Sequence, residues 1–239
     1  MAENDHATYY TGMSPKLMRG FEKISACAAI PMEHALGGKK SAEARKDARK
    51  AFADLIPQLP YIGGGKAPGT RNLIGGAQLL AIIQALEKQG LQREAIGEIV
   101  YRTCERFFTR VPSFLARCLG RVMGSGFFLA KRKKTALESQ KREFSGAFVS
   151  EFVVSEDGAF DYGQDVLECA ICKLYKQHGA EKYLPYVCLG DYPMFRHFGI
   201  GFARTKTLGN GADKCDFRFT RSGKTLDGWP PERLPEWKG

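Results

Sequence analysis

Apolar residues in the N-terminal part of the chain recur every three or four positions, a spacing that predicts helices. The clearest case begins at Ser41, a residue suited to capping a helix, and continues until Pro57 ends it. The same spacing predicts further helices over residues 15–29, 73–88, 93–110 and 113–134. This part of the chain is therefore expected to form a helical bundle.

Beyond the basic residues 131–134 the pattern changes, because β-branched and aromatic residues become frequent. The strands predicted from them cover residues 144–154, 160–162, 200–208 and 215–220. The last two flank a turn-rich segment, GNGAD, which indicates an antiparallel hairpin. Between the second and third strands, two more helices are predicted over residues 166–178 and 181–198.

These elements predict an α+β protein, in which a mainly helical N-terminal half packs against a small antiparallel sheet with two helices. We place a mainly helical half at residues 1–142, an α+β region at 143–221 and an extended C-terminal tail at 222–239, all within one compact unit. Trp229 and Trp237 are expected to pin the tail to the body of the protein.

Charge changes this picture little, although the 239-residue chain has a formal net charge of +10. The basic residues are spread over several predicted helices and are not interleaved with aromatic residues, so we expect solvated helix faces and no nucleic-acid partner. No apolar run approaches the roughly 18 to 20 residues needed to span a bilayer, and the N-terminus does not resemble a secretion signal. We expect a cytoplasmic protein with no membrane partner, and leave a homo-oligomer open.

The seven cysteines are an odd number in a chain of this length, which predicts reduced thiols rather than a disulfide framework. Cys104 and Cys118 fall among the apolar residues of predicted helices, so we expect both in the core. The other candidates lie in pairs on predicted helices, three positions apart, and each pair should share a helix face. These pairs are Cys169 with Cys172 and Cys188 with Asp191.

Side chains alternate along the last predicted strand, so Cys215 should point away from Asp216 and Arg218. With Leu208 opposite Cys215 in the hairpin, one strand face becomes polar. That face would contain Thr205, Thr207, Asp216 and Arg218. A polar face of this kind indicates either a ligand site or a network of charges.

Two segments, ECAICKLYKQHGAEKYLPYVCLGDY and RTKTLGNGADKCDFRF, resemble the signature of the L-2-amino-thiazoline-4-carboxylic acid hydrolase family. The resemblance covers about residues 144–220. The positions that match are Cys169, Cys188, Asp191, Arg204, Thr205, Thr207, Gly211, Cys215, Asp216, Phe217 and Arg218. Cys172 departs from the pattern, because other members often have an apolar residue there.

The resemblance implies a hydrolase that opens a small, anionic, cyclic isothiourea without a cofactor. Such a ring carbon needs a nucleophile and a proton on its nitrogen, which points to thiols and carboxyl groups. The catalytic candidates are Cys215, Cys169, Cys188, Asp191 and Asp216, and the substrate-binding candidates are Arg204, Arg218, Thr205 and Thr207. We favour Cys215 as nucleophile because it begins a strand beside a lysine, whereas Cys169 is predicted inside a helix.

A different class of function is open as an alternative. Cys169, Cys172, Cys188 and Cys215 could together hold a structural zinc or an iron centre, which would make the region a sensor or binding module for a small ligand.

Overall fold

The computed structural model describes residues 8–221 and 223–237, apart from the side chain of Lys66. The helices named below are α1 (Ser14–Leu36), α2 (Gly38–Leu55), α3 (Thr70–Lys88), α4 (Arg93–Phe108), α5 (Ser113–Met123), α6 (Gly126–Ser139), α7 (Ala170–Gln177), α8 (Leu184–Cys188) and α9 (Asp191–Phe198). The strands are β1 (Val149–Val153), β2 (Tyr162–Glu168), β3 (Gly201–Ala203) and β4 (Cys215–Thr220).

Helices α1 to α4 form the predicted bundle, with α3 at its centre. Four successive residues of α3, from Leu80 to Ile83, have no accessible surface, as expected for a helix that is apolar on all sides. α1 is longer than predicted and continues through Pro31. Packing explains this, because Ala28 and Met32 on either side of the proline are completely buried.

The strands form one antiparallel sheet in the order β1-β2-β4-β3. One face of the sheet is apolar and packs on α9, where the ring centroids of Phe195 and Phe219 lie 4.9 Å apart. The predicted α+β fold class is confirmed. The apolar core contains residues from all three predicted segments of the chain, including Tyr10, Tyr162 and Leu234, while the boundaries between those segments stay predictions.

Several elements begin or end elsewhere than predicted, among them the strand predicted from residue 144, which begins at Val149, and the helix predicted over 181–198, which is divided into shorter helices. Residues 166–168 were expected in a helix, but they complete β2, where Val166 pairs with both Ser150 and Cys215. Hydrogen bonds to two neighbouring strands outweigh the local helix pattern here. The predicted helix 113–134 is in fact two helices, because the chain breaks at Gly124 and Ser125 caps α6 through its hydroxyl.

The predicted hairpin is shorter than expected, and its register is different. β3 pairs Ala203 with Arg218, so the proposed pairing of Leu208 with Cys215 is wrong. The chain between Ala203 and Cys215 forms a loop instead of a strand. Asp216 holds this loop by accepting hydrogen bonds from the backbone N–H groups of Thr205 and Lys206.

The tail returns across the helical bundle. Trp229 packs against Tyr101, with ring centroids 6.0 Å apart, and Trp237 packs against Tyr186 at 5.2 Å. The prediction that both tryptophans pin the tail is confirmed. In the part of the chain that the structure describes, no helix combines the length and apolar character that crossing a membrane requires.

Close contact between α4 and α8 gives a stability prediction. A methyl group on Gly97 would lie 2.2 Å from the ring of Tyr186, and that ring is held between Trp229 and Trp237. Gly97→Ala should therefore lower the free energy of unfolding by about 2 kcal/mol or more, measured by urea denaturation. Gly75→Ala is the control, because its methyl group would meet open space. We expect this substitution to raise the free energy of unfolding by up to about 1 kcal/mol. Equal effects of the two substitutions would refute this packing account.

Candidate active site

A buried arginine near the end of β3 donates hydrogen bonds to three other residues. Arg204 follows β3, and only 1% of its side chain is exposed. Its Nε donates to Glu236 at 2.9 Å, its Nη1 to Asp191 at 2.8 Å and its Nη2 to the carbonyl oxygen of Cys188 at 2.9 Å. Each guanidinium nitrogen thus has an acceptor within the protein, which places Arg204 as a support for its neighbours.

Glu236 is a member of this site that sequence reasoning missed. It lies in the C-terminal tail, is 3% exposed, and accepts a second hydrogen bond from the hydroxyl of Tyr192 at 2.6 Å. The loop after β3 holds the same part of the tail, since the Asn210 amide donates to the Glu236 carbonyl oxygen at 2.7 Å. No pattern in the tail sequence distinguishes this glutamate from its exposed neighbour Glu232.

Asp191 begins α9 and is the partly exposed carboxylate of the arginine network. Burial raises the pKa of Asp191, and this effect exceeds the opposing charge and hydrogen bond of Arg204. Yet 30% of the side chain remains accessible. A carboxyl group that is closely surrounded by protein and still reaches solvent can hold a proton more readily than an ordinary aspartate.

Cys169 immediately precedes α7, at the position that caps the helix. The pKa of Cys169 is lowered, first by the hydrogen bond from the thiol of Cys172 and also by the backbone N–H groups of Cys172 and Ile171, although burial opposes them. The same hydrogen bond, together with burial, raises the pKa of Cys172. The opposite shifts of the two pKa values therefore favour a thiolate on Cys169 beside a protonated Cys172.

The other two thiols are in environments that keep them protonated. Burial raises the pKa of Cys188 to about 12. Burial also raises the pKa of Cys215, which is 6% exposed, despite the Thr207 hydroxyl at 3.5 Å and the Leu208 N–H at 3.3 Å from its sulfur. This order of acidity opposes the preference for Cys215 that the sequence suggested.

These groups lie close enough together to influence one another electrostatically. A negative charge on Cys188 or Cys215 would raise the pKa of Cys172, and the charge of Asp191 raises the pKa values of Cys169 and Cys188. The structure thus brings one set of predicted residues into a single region, here called the thiol cluster. Its members are Cys169, Cys172, Cys188, Asp191, Arg204, Thr207 and Cys215.

Comparison with models of protein families gives a match over the part of the chain that contains the thiol cluster. The model of the L-2-amino-thiazoline-4-carboxylic acid hydrolases matches residues 71–219, which is more than half of the chain. The chain belongs to this family. The family name supports a hydrolase that acts on a small molecule, and the resemblance predicted from the sequence is confirmed. Comparisons with curated proteins and with solved structures gave no match.

The matched region of this hydrolase contains the whole thiol cluster, from the residue before α7 to the first residue of β4. Glu236 lies beyond it. The carboxylate that shares Arg204 with Asp191 therefore comes from a part of the chain that the family model does not cover.

Three of the predicted site residues lie apart from the thiol cluster. Asp216 accepts from the Thr205 hydroxyl at 2.6 Å, in addition to its two backbone bonds, so both residues brace the loop after β3. Arg218 donates to Asp165 at 2.6 Å. Alternation along β4 directs Asp216 and Arg218 to the sheet face opposite Cys215, as predicted.

Asp165 is the centre of this second network, and sequence reasoning did not single it out. It is 5% exposed and accepts from Lys214 at 2.5 Å as well as from Arg218. Burial alone would raise the pKa of Asp165, but the hydrogen bonds from Lys214 and Arg218 outweigh it and the pKa is lowered. The sequence left two roles open for the polar strand face, a ligand site or a network of charges. These contacts match the network of charges.

The zinc or iron alternative finds little support in the geometry of the side chains. Among residues 8–221 and 223–237, no three His, Cys, Asp or Glu side chains are arranged so that they could hold one metal ion. A metal on Cys169, Cys172, Cys188 and Cys215 would require these thiols to rearrange. Binding of such an ion stays an untested prediction.

Two features of the helical half also lie outside the site. A groove of about 460 Å³ between α1 and α4, lined in part by His34, Glu98 and Arg102, contains none of the thiols. His197 in α9 carries an imidazole, a group that can act as an acid or base. Its Nε2 lies 2.7 Å from the carbonyl oxygen of Val111, which ties the ring to the start of α5.

Proposed function

We propose that this hydrolase opens a cyclic isothiourea of the 2-amino-thiazoline-4-carboxylate type by attack of the Cys169 thiolate. The position of Cys169 before α7 carries the proposal, because the neighbouring Cys172 thiol and the backbone N–H groups of Cys172 and Ile171 lower the pKa of this thiol. A thiolate is the strongest nucleophile in the cluster, and the lowered pKa of Cys169 makes this thiol the one that ionises most readily.

The first step forms one bond and breaks another. The Cys169 sulfur adds to the carbon between the ring sulfur and nitrogen, and the ring carbon–sulfur bond then breaks. The freed sulfur takes a proton and becomes the thiol of the product. Water next adds to the same carbon, and Cys169 leaves as a thiolate, so that a carbamoyl group remains on the nitrogen of the substrate. One water is consumed and the enzyme returns to its starting state.

Asp191 is the proposed acid and base in both steps. An amidine-like carbon accepts a nucleophile when its nitrogen is protonated, and a carboxyl group with a raised pKa can provide that proton. The same group can then take a proton from the attacking water. Arg204 and Glu236 do not touch the substrate in this proposal but position Asp191.

The remaining candidates receive different roles. Cys188 and Cys215 stay protonated beside the reacting groups, and Thr207 orients Cys215. Cys172 is a positioning residue that holds Cys169 as a thiolate. Binding of the substrate carboxylate by Arg218 or Thr205 is not part of the proposal, because their contacts lie on the other side of β4.

The acidity of Cys169 gives a direct test. We expect iodoacetamide to alkylate Cys169 with a midpoint below the pH at which ordinary thiols react, and to leave Cys188 unmodified over the same range, as followed by peptide mass spectrometry. Cys172→Ala removes the main cause of the lowered pKa of Cys169. The substitution should move the alkylation midpoint of Cys169 to higher pH. It should also move to higher pH the part of the kcat/KM profile that increases with pH.

A purely structural role of Cys172 would lower the amount of active enzyme without moving either pH profile. Two results would overturn the proposed function. One is an unchanged Cys169 midpoint in Cys172→Ala. The other is about one zinc or iron per chain in protein purified without added metal, with the cluster thiols protected from alkylation, which would favour the binding module instead.

A further inference from the structure

Helix α5 turns an apolar side away from the protein. Phe114 and Val122 are 74% and 57% exposed, whereas the side that packs on the protein is formed by the small residues Ala116 and Gly120. Gly120 lies so close to α9 that a methyl group there would be 2.0 Å from the carbonyl oxygen of Phe198. The α5 apolar face, as named here, consists of Phe114, Leu115, Leu119 and Val122.

This face corrects an expectation from the sequence. Cys118 was expected in the core, but it is exposed, because it lies among the outward residues of α5. Phe127, at the beginning of α6, is 84% exposed. An amphipathic helix normally buries its apolar stripe, so a stripe that remains in contact with water marks an interaction surface.

The charge around the α5 apolar face restricts the kind of partner. From Arg106 to Leu137 the sequence contains no aspartate or glutamate. The basic residues in the same stretch are Arg106, Arg110, Arg117, Arg121, Lys131, Arg132, Lys133 and Lys134. Arg117 and Arg121 are exposed on α5 itself. A second copy of the chain would bring two such positive segments together, whereas a negative surface would be attracted.

Against the expectation of no membrane partner from the sequence, we propose that α5 is a membrane-surface helix that binds an anionic lipid bilayer. Its apolar face enters the boundary between headgroups and acyl chains, and Arg117 and Arg121 contact lipid phosphates. Phenylalanine and leucine on one side of a helix and arginine beside them are the combination that such binding requires. This surface is separate from the thiol cluster, so the inference does not depend on the proposed function.

Sedimentation with lipid vesicles tests the proposal. The full chain should bind vesicles of phosphatidylcholine with about a quarter phosphatidylglycerol at least about tenfold more tightly than vesicles of phosphatidylcholine alone. Added salt should weaken the binding. Phe114→Ser/Val122→Ser should reduce binding to the anionic vesicles by about tenfold or more, because it removes the inserted side chains.

Val154→Ser is the matched control, since Val154 is 66% exposed but follows β1, away from α5. It should bind vesicles as the unchanged chain does. Arg117→Glu/Arg121→Glu provides a second test that keeps the apolar face and should also lose binding. Circular dichroism and ring-opening activity should be unaffected by all these variants.

Three outcomes would overturn the proposal: no binding to the anionic vesicles, equal binding by the chain and its Phe114→Ser/Val122→Ser variant, or equal binding to both kinds of vesicle. A stable dimer in sedimentation velocity without lipid, dissociated by the same variant, would also overturn it. That result would show that a second copy covers the α5 apolar face.

Discussion

Cys169→Ser is expected to lower kcat/KM for ring opening by at least about a thousandfold, because it removes the proposed nucleophile. A serine hydroxyl remains protonated where the Cys169 thiol ionises, even with the same hydrogen bonds from Cys172 and the helix N–H groups. The fold should be retained, since the two side chains differ little in size. The measurement is steady-state hydrolysis of 2-amino-thiazoline-4-carboxylate by each purified variant.

Two other cysteines serve as controls in this experiment. Cys118→Ser, on the exposed side of α5, should hydrolyse the substrate at the rate of the unchanged chain. Cys215→Ser should be less impaired than Cys169→Ser, because the pKa of Cys215 is raised by burial. If Cys215→Ser is inactive while Cys169→Ser keeps its activity, the nucleophile is the one that the sequence favoured and our assignment is wrong.

Arg204→Leu is expected to have the largest effect on stability. It leaves Asp191 and Glu236 without the guanidinium that lies between them. The free energy of unfolding should therefore fall by about 3–5 kcal/mol, as it does when one partner of a buried ion pair is removed. Hydrolysis should fall as well, because Asp191 loses the contact that positions it. Urea denaturation followed by circular dichroism measures the change in stability.

A surface arginine provides the comparison. Arg49 pairs with Glu22 at 2.8 Å, but their side chains are 60% and 52% exposed, so Arg49→Leu should change stability by no more than about 0.5 kcal/mol. If Arg204→Leu and Arg49→Leu lose similar amounts of stability, the buried network of Arg204 contributes no more to stability than a surface ion pair.

The pH dependence of the Arg204→Leu variant gives a further check. Without the guanidinium, which opposes the effect of burial, the pKa of Asp191 should rise further above its value in the unfolded chain. The folded state then binds protons that the unfolded state releases, so its stability increases as the pH falls. The loss of stability caused by Arg204→Leu should therefore be smaller in mildly acidic solution than at neutral pH.

Local sequence patterns were sufficient for much of the fold. The helix beginning at Arg93 was predicted to its first residue, and β4 was predicted at both ends, because apolar spacing and β-branched residues act over short distances. The same short range explains the failures. β2 extends to Glu168 through pairing with β1 and β4, and a local pattern contains no information about such partners.

The error at β2 had chemical consequences. With residues 166–168 assigned to a helix, Cys169 appeared to lie inside it, and the sequence favoured Cys215. In the structure the helix starts at Ala170, so Cys169 lies at its N-terminal end, where the backbone N–H groups of Ile171 and Cys172 lower its pKa. A displacement of a few residues in one boundary thus changed the proposed nucleophile.

The sequence by itself determined the family, the α+β class and most members of the thiol cluster, because each depends on residue identity and near-neighbour spacing. Only the tertiary structure decided that Glu236 joins Arg204 from the tail, that Arg218 binds Asp165 on the opposite sheet face, and which side of α5 meets solvent. These three results depend on contacts between residues far apart in the chain, and long-range packing sets them.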